Sequence, residues 1–468
     1  MPDGYRLLWA GWYRLEDGAG PYAWDGAAGF ALIGSGRGET AVGGGVLLEG
    51  ETDGFATDFT HATDSERVAV KVASVNTSYA LDAFYTNAGT SPKQVFDAAG
   101  SLVWSPHNMF LNSAAPVTQN VTTIVGQNYT VTIVGSGSMT GSAGASGVAT
   151  AGAPLTYTAT TVTSTFTKAG TVTQIQMNRG AVATAYIATT GAIKNGLAID
   201  YDPVTHASKG LLVEPAATNL ILNNASMSTQ SVTVTAVAHT LSFWGTGTIT
   251  LSGVSTAGPL VGTGVSNRVS LTFTPTAGSL TCTVTGTVSR AQLETGTVAT
   301  SPIPTFAATA TRVADNVTFL LSTIPALGSA YSAYCRFSVP TPFINSTRYA
   351  FALTDGTTNE FLGMRSLLGP GPTVTDGGAL QANISVGTLV GNTPISAAMR
   401  VQANNFGASA AGGAVTTDTV GTLPTVTEVR FGNAGNNAAT IHVFNIYKLM
   451  IVPRAWSDVE LQAKSAVT

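Results

Sequence analysis

The side chains able to do chemistry are few and scattered. Five histidines, His61, His107, His206, His239 and His442, show no HExxH pattern and no pair at metal-ligand spacing. No GxSxG elbow presents a nucleophilic serine. Gly34-Ser35-Gly36-Arg37-Gly38 has the glycines of a phosphate loop, but no Gly-Lys-Ser/Thr and no helix start follows, so it reads as a turn. Asp200 and Asp202 would share one face of a strand, a layout open to reading as a glycosidase carboxylate pair. Pro203 behind them favours a turn instead. Asp355, in Asp355-Gly356-Thr357-Thr358-Asn359, offers oxygen ligands of the kind calcium takes, and the same five residues also make a hairpin turn. Glu294 and Arg312 read as structural groups pairing at a sandwich margin. No catalytic residue is expected, no cofactor is implied, and calcium at Asp355 is the one metal candidate.

Binding chemistry has more to work with. A sugar site on a sheet uses an aromatic ring to stack on the pyranose, with amides reaching its hydroxyls. Trp244, with Asn223 and Gln230, is one candidate set; Tyr349, Phe361, Asn404 and Asn405 make a second. Each also has a core or turn reading. Trp244 is the best single choice, because alternation along Leu241, Ser242, Phe243 and Trp244 turns it away from Phe243.

These residues sit on a duplicated element. Asn108 to Thr189 and Asn219 to Thr305 carry the same landmarks in the same order. Asn112 and Gln119 are spaced as Asn223 and Gln230, and Gly135-Ser136-Gly137 answers Gly245-Thr246-Gly247. Gly180-Ala181-Val182-Ala183-Thr184 answers Gly296-Thr297-Val298-Ala299-Thr300, with Ile187 and Thr189 matching Ile303 and Thr305. The counterpart of Trp244 is Val134, so a sugar site there would belong to one copy alone. Two copies are too few for a solenoid and point to a repeated small β-domain.

Composition agrees. Of 468 residues 44% are hydrophobic but only 10% are charged, against roughly 25% in an average soluble protein. The apolar residues are interleaved with Thr, Ser and Gly, the mixture of strands and tight turns, and no run approaches the roughly 20 needed to span a membrane. A net charge of −4 gives no basic footprint for nucleic acid. The first residues, MPDGYRLLWAGWYRLEDG, lack the pattern of a secretory signal. Cys282 and Cys335 read as buried free thiols. So little surface charge is a liability for a lone subunit, which suggests surface covered in an assembly.

Five regions follow. Residues 1–76 read as an N-terminal β module whose aromatics (Trp9, Trp12, Tyr13, Tyr22, Trp24) either fill a small core or dock on a partner. Within it Val68, Val70 and Val72 alternate with polar residues as on a half-buried strand. Residues 77–107 are a connector with a turn at Asp97-Ala98-Ala99-Gly100, 108–195 the first repeat, 196–314 the second with its leading linker, and 315–468 a further two-sheet sandwich. Its last strand should be central, with Ile441, Val443, Tyr447, Leu449 and Ile451 on one face, and Ser457-Asp458-Val459-Glu460 is a capping box opening a short helix. The expected fold class is all-β: tandem antiparallel β-sandwiches, two small jelly-roll-like repeats and one larger sandwich.

Three stretches resemble a recurring segment of tailed-bacteriophage structural proteins: DYDPVTHASKGLLVEPAATNLILNNA (residues 200–225), RVSLTFTPTAGSLTCTVTGTVSRAQLETGTVATSPIPT (268–305) and ATRVADNVTF (310–319). In that family GLLIEP and TNL, then QLE, ATSYIPT and TR-AD, bracket a carbohydrate-binding-module-like sandwich. The C-terminal region is similar to the concanavalin A-like, or laminin G-like, lectin domain that often follows. Two departures stand out: the first copy shows Gln176-Met177-Asn178-Arg179 where the family has Gln-Leu-Glu, and Pro302 replaces the usual aromatic, kept as Tyr186 in the first copy. The resemblance implies a virion protein of the tail, tail-fibre or minor-tail class, assembled as a trimer. It would join other virion proteins through its N-terminal module and adsorb to host-surface glycans; a capsid decoration or head-fibre role is the alternative.

Overall fold

The computed structural model describes residues 47–466, apart from residue 90 and residues 341–347, 367–368 and 436–441; of Asp82 only the backbone is described. Before residue 47 it describes the backbones of four short strands, which pair as two hairpins, Tyr5–Leu8 with Gly11–Arg14 and Tyr22–Trp24 with Phe30–Leu32. Trp12, Tyr13, Tyr22 and Trp24 lie on these strands; Trp9, and the side chains of all five, fall outside the described residues.

The chain is all-β, as its β-branched, turn-rich sequence demands, and its antiparallel sheets stack into sandwiches. In the first repeat a four-stranded sheet runs in the order Gln119–Thr122, Thr163–Ala169, Ser138–Ala143, Gly147–Thr150. Its three-stranded partner runs Leu155–Thr158, Asn128–Gly135, Val172–Arg179. The second repeat has Gln230–Val234, Gly278–Thr285, Thr248–Gly253, Leu260–Val261 beside Gly264–Phe273, His239–Gly245, Val288–Thr295. In chain order the two permutations are identical, so the duplication is one of topology. Each copy has its own core, with Tyr129, Phe166 and Ile175 fully buried in one and Leu241, Phe243 and Leu293 in the other.

The shared glycines have a steric reason. A Cβ on Gly135 or Gly245 would lie 2.3 or 2.2 Å from the carbonyl oxygen of Thr171 or Thr287, and both sit at positive φ beside a register shift. The shared amides are keystones. Asn108 donates to the carbonyls of Ile175 and Ile187 and accepts from the N–H groups of Phe110 and Met177. Asn219 makes the same four bonds, to Ala291, Ile303, Ile221 and Leu293.

The third sandwich is assembled from separated stretches of chain. Its ten-stranded sheet centres on Phe444–Val452, flanked on one side by Ala330–Ser338 and on the other by Gly54–Asp58 and Ser208–Val213. A seven-stranded sheet from Ala379–Asn383 to Thr86–Asn87 lies opposite, and the largest core fills the space between, including Phe55, Val68, Val70, Leu211, Phe351 and Phe444. The boundary at residue 76 is therefore corrected for residues 47–76: Gly54–Asp58 and Val68–Val72 extend the C-terminal sheet. The reason is burial, since Phe55 and Val68 are apolar strand residues with 0% exposure only against that core. Residues 197–213, expected as linker, likewise supply a strand and core residues.

The last strand is central, but its faces differ from simple alternation. Lys448 pairs with Arg336 and Ile446 with Phe337, so Tyr447 is an extra residue. That bulge puts Phe444 and Ile446 on the same side as Leu449 and Ile451. The capping box is present: Ser457 accepts from the Glu460 N–H and opens the helix Asp458–Ser465. This helix covers the outer face of the ten-stranded sheet through Leu461 and the neighbouring Trp456. Glu51 binds Arg454 at 2.7 and 3.0 Å and accepts from the Trp456 indole, locking residues before the first strand of the sheet to the end of the chain. A second, four-residue helix spans Leu81–Phe84. Both cysteines are buried and free.

Candidate functional site

The residues that carry the phage-protein resemblance converge on one buried knot. Glu214 accepts from the Ser301 N–H at 2.6 Å, the Ser301 hydroxyl at 2.7 Å and Arg312 Nη1 at 2.7 Å. Lys93 Nζ lies 3.5 Å from Glu214, donates to the Leu212 carbonyl and bonds Asp315, which in turn accepts from the Glu214 N–H. All are nearly inaccessible. Burial pushes the Glu214 carboxyl up, but Arg312, Lys93 and Ser301 together hold it below the usual carboxylate range. The knot ties the second repeat, through Ser301 and Arg312, to the strand Ser208–Val213 of the third sandwich. Arg312 thus pairs with Glu214 and not with Glu294. Glu294 instead accepts from the Thr300 N–H and hydroxyl, and its carboxyl is raised by burial.

The residues expected to bind sugar are not brought together. Trp244 is 2% exposed, with the guanidinium of Arg268 4.7 Å from its ring centroid, Arg290 at 6.0 Å and Phe96 of the connector alongside. A sugar has no access to that ring, and the expectation is corrected: the strand's outer face is covered by the connector. Gln230 spends its amide on both backbone groups of Leu222, as Gln119 does on Leu111. Asn223 is exposed and holds a left-handed backbone at φ 48°, as Asn112 does at 51°, a conformation Asn tolerates. Phe361 is buried under Tyr349, edge to face at 5.2 Å, on the outer side of the seven-stranded sheet. Asn404 and Asn405 form the turn before Phe406–Ala410, with Asn404 accepting from Gly421 N–H and Asn405 donating to Gln402. Asp355 caps its own turn through the Thr357 N–H and hydroxyl. Among the described residues no group of three or more His, Cys, Asp or Glu could hold a metal ion. Asp200 and Asp202 share Lys209 at 3.9 Å each; Asp200 also accepts from the Phe96 N–H and Asp202 from Val204 and Thr205.

A cleft of about 720 Å³ opens where the first repeat meets the third sandwich. One wall is the connector hairpin, Gln94–Phe96 with Leu102–Trp104, whose Asp97 carboxylate accepts from the Ala99 and Ser101 N–H groups of the expected turn. The second wall is the repeat motif itself, residues 179–185 with Ile187, and the third is formed by Leu81 of the short helix with Leu197, Ile199 and Tyr201. Apolar side chains dominate, with Gln94, Gln127 and Thr184 among them.

Two residues mark this cleft. Trp104 is half-buried, with the Arg179 guanidinium 5.3 Å from its ring centroid and the His107 ring edge-on. His107 Nδ1 donates to the Ser105 carbonyl at 2.7 Å while Nε2 accepts from the Arg179 N–H at 2.7 Å, fixing the neutral ring; burial pushes its pKa down to about 3. Arg179 is lowered by burial, with Tyr129 the group that favours its charge. Among the described residues no carboxylate pairs with it, and its Nε is buried without an acceptor. Sequence reasoning passed over Arg179 and Trp104. The signal available was the departure at residues 176–179, which places Arg179 where the second copy has Thr295.

No protein-family model matches the sequence, and no curated protein matches it. Solved structures with partial similarity include NanB plus Optactamide, at 18% identity over 31% of this chain and 26% of that one, with a TM-score of 0.27. The binding domain of botulinum neurotoxin DC in complex with SialylT gives 13% identity over 32% and 38%, with a TM-score of 0.26. A mutant GH54 α-L-arabinofuranosidase gives 12% over 50% and 63%, at 0.25. The chain spans less than two thirds of each, and likenesses this low carry no argument about fold or function.

Proposed function

We propose that this chain is a non-enzymatic structural protein of a tailed-bacteriophage particle, of the tail or tail-fibre class, that adsorbs to host-surface glycans. The observation that carries the reading is the fate of the resemblance motif. Its charged residues, Glu214, Arg312 and Asp315, are consumed in a buried joint between sandwiches, the use expected of a motif kept for architecture. A buried ion cluster is weak evidence of added stability, because desolvation offsets much of its attraction, and in this reading the cluster fixes how the two sandwiches meet. Asp200 and Asp202 are likewise committed to structure, sharing Lys209 and accepting backbone N–H groups of the connector hairpin and of their own turn.

In this reading the subunits form a trimer, attach through the N-terminal hairpins to other virion proteins, and present weak sites many times over. Linked sites raise avidity by about 10²–10⁴ without new contacts. The test is gold-labelled antibody against the chain on purified particles. Label on the tail supports the proposal; label over the capsid shifts it to a decoration role, and unlabelled particles overturn it.

A further inference from the structure

Resting on the glycan-binding part of that proposal, we infer that the cleft between the first repeat and the third sandwich binds a short acidic oligosaccharide, with one sugar carboxylate seated on Arg179. The volume lies within the roughly 300–1,000 Å³ of small-molecule sites, and the mostly apolar walls with a few amides and a hydroxyl match the two-sided character of a pyranose. Gln94, half-buried on the cleft wall, provides its amide for a sugar hydroxyl, and the Thr184 hydroxyl, which accepts from Gln176, has its own proton to donate.

The charge pattern selects the ligand. Asp64, Arg67, Asp97 and Arg179 line the cleft, two of each sign. Asp97 is occupied by its own turn, and Arg67 donates to the His61 carbonyl with Asp64 at 3.7 Å. Arg179 alone of these four has only a ring face and a tyrosine hydroxyl for company. A half-buried guanidinium lining the cleft, with no carboxylate partner among the described residues, is completed by a planar, singly charged carboxylate, which takes two parallel N–H donors. A phosphate dianion would leave a surplus negative charge beside Asp64 and Asp97. The second repeat cannot form this site: Thr295 stands in place of Arg179, and Trp244 is already covered by Arg268.

The experiment is calorimetric titration of the full chain with a uronic acid trisaccharide, 3′-sialyllactose, and neutral cellotriose and lactose, against Arg179→Gln and Ala183→Trp. Ala183 is exposed on the rim, so the indole fills the cleft while the core is untouched. Expected are millimolar binding of an acidic sugar, at least tenfold weaker binding of its neutral counterpart, a comparable loss in Arg179→Gln, and loss of all binding in Ala183→Trp. Equal binding of acidic and neutral sugars, blocked by Ala183→Trp but indifferent to Arg179→Gln, overturns the carboxylate assignment while leaving glycan binding intact. Should Arg179→Gln not fold, persistence of acidic binding in Ala183→Trp overturns the site, and its loss supports it. Acidic binding by a chain absent from labelled particles retains this inference and removes the virion reading; no binding of any sugar removes the inference alone.

Discussion

At the scale of residues, amides and rings here serve the backbone. Asn108 and Asn219 each satisfy two carbonyls and two N–H groups inside a sandwich. Replacing either with Ala strands those groups in the dry interior, and a loss of about 3 kcal/mol is expected in denaturant unfolding of the copy concerned. Trp244→Ala should destabilise the chain by about 3–5 kcal/mol and leave glycan binding unchanged, since the ring faces Arg268 and Phe96 and no solvent. His107 gives a pH signature. In the unfolded chain it protonates near 6.5, in the folded chain near 3, so acid favours the unfolded state from about pH 6.5 downward. Stability should fall by about 2 kcal/mol between pH 7 and 5, with His442 shifted the same way, and His107→Gln should remove most of that slope in thermal melts. The repeated Asn and Gln were legible as landmarks. Their partners were not, because an amide that binds a carbonyl and one that binds a sugar have the same spacing in sequence.

At the scale of elements, local signals were readable and long-range ones were hidden. The capping box at Ser457 and the Asp97–Gly100 turn depend on neighbours in sequence and appear as expected. The bulge at Tyr447 depends on the facing strand, and alternation alone put Leu449 and Phe444 on opposite faces. The Glu214 knot also joins distant elements, although its residues stood in the resemblance motif. Arg312→Met should remove the closest ion-pair partner of Glu214, leaving Lys93 at 3.5 Å, and destabilise the chain by about 3–5 kcal/mol, whereas the double change Glu214→Gln with Arg312→Met should cost less than the single one. Limited proteolysis near Pro215 and Thr305 would report the loosened joint; undiminished resistance in Arg312→Met would speak against the knot as the fastening.

At the scale of the whole molecule, the repeats are guests in a larger sandwich whose strands come from before, between and after them. Phe55 and Leu211 fill the same core as Phe351. A fragment of residues 315–468 should therefore fail to fold, while residues 108–195, with a core of their own, should unfold cooperatively alone. Circular dichroism of the two fragments decides this. The all-β class and the duplication were visible in composition and spacing; the partnership of Gly54–Asp58 with Lys448–Ile451 was not, because nothing local records which edge a strand will join. The carboxylates described above hold sheets together or cap turns, and in the proposed reading the cleft beside the first repeat holds the sugar. The most direct measurement is electrophoresis of the intact chain through gels containing an acidic polysaccharide, with reducing ends assayed in the same gel. Retarded migration with no new reducing ends is predicted; release of reducing ends, or migration unchanged by every acidic polysaccharide, would contradict the account.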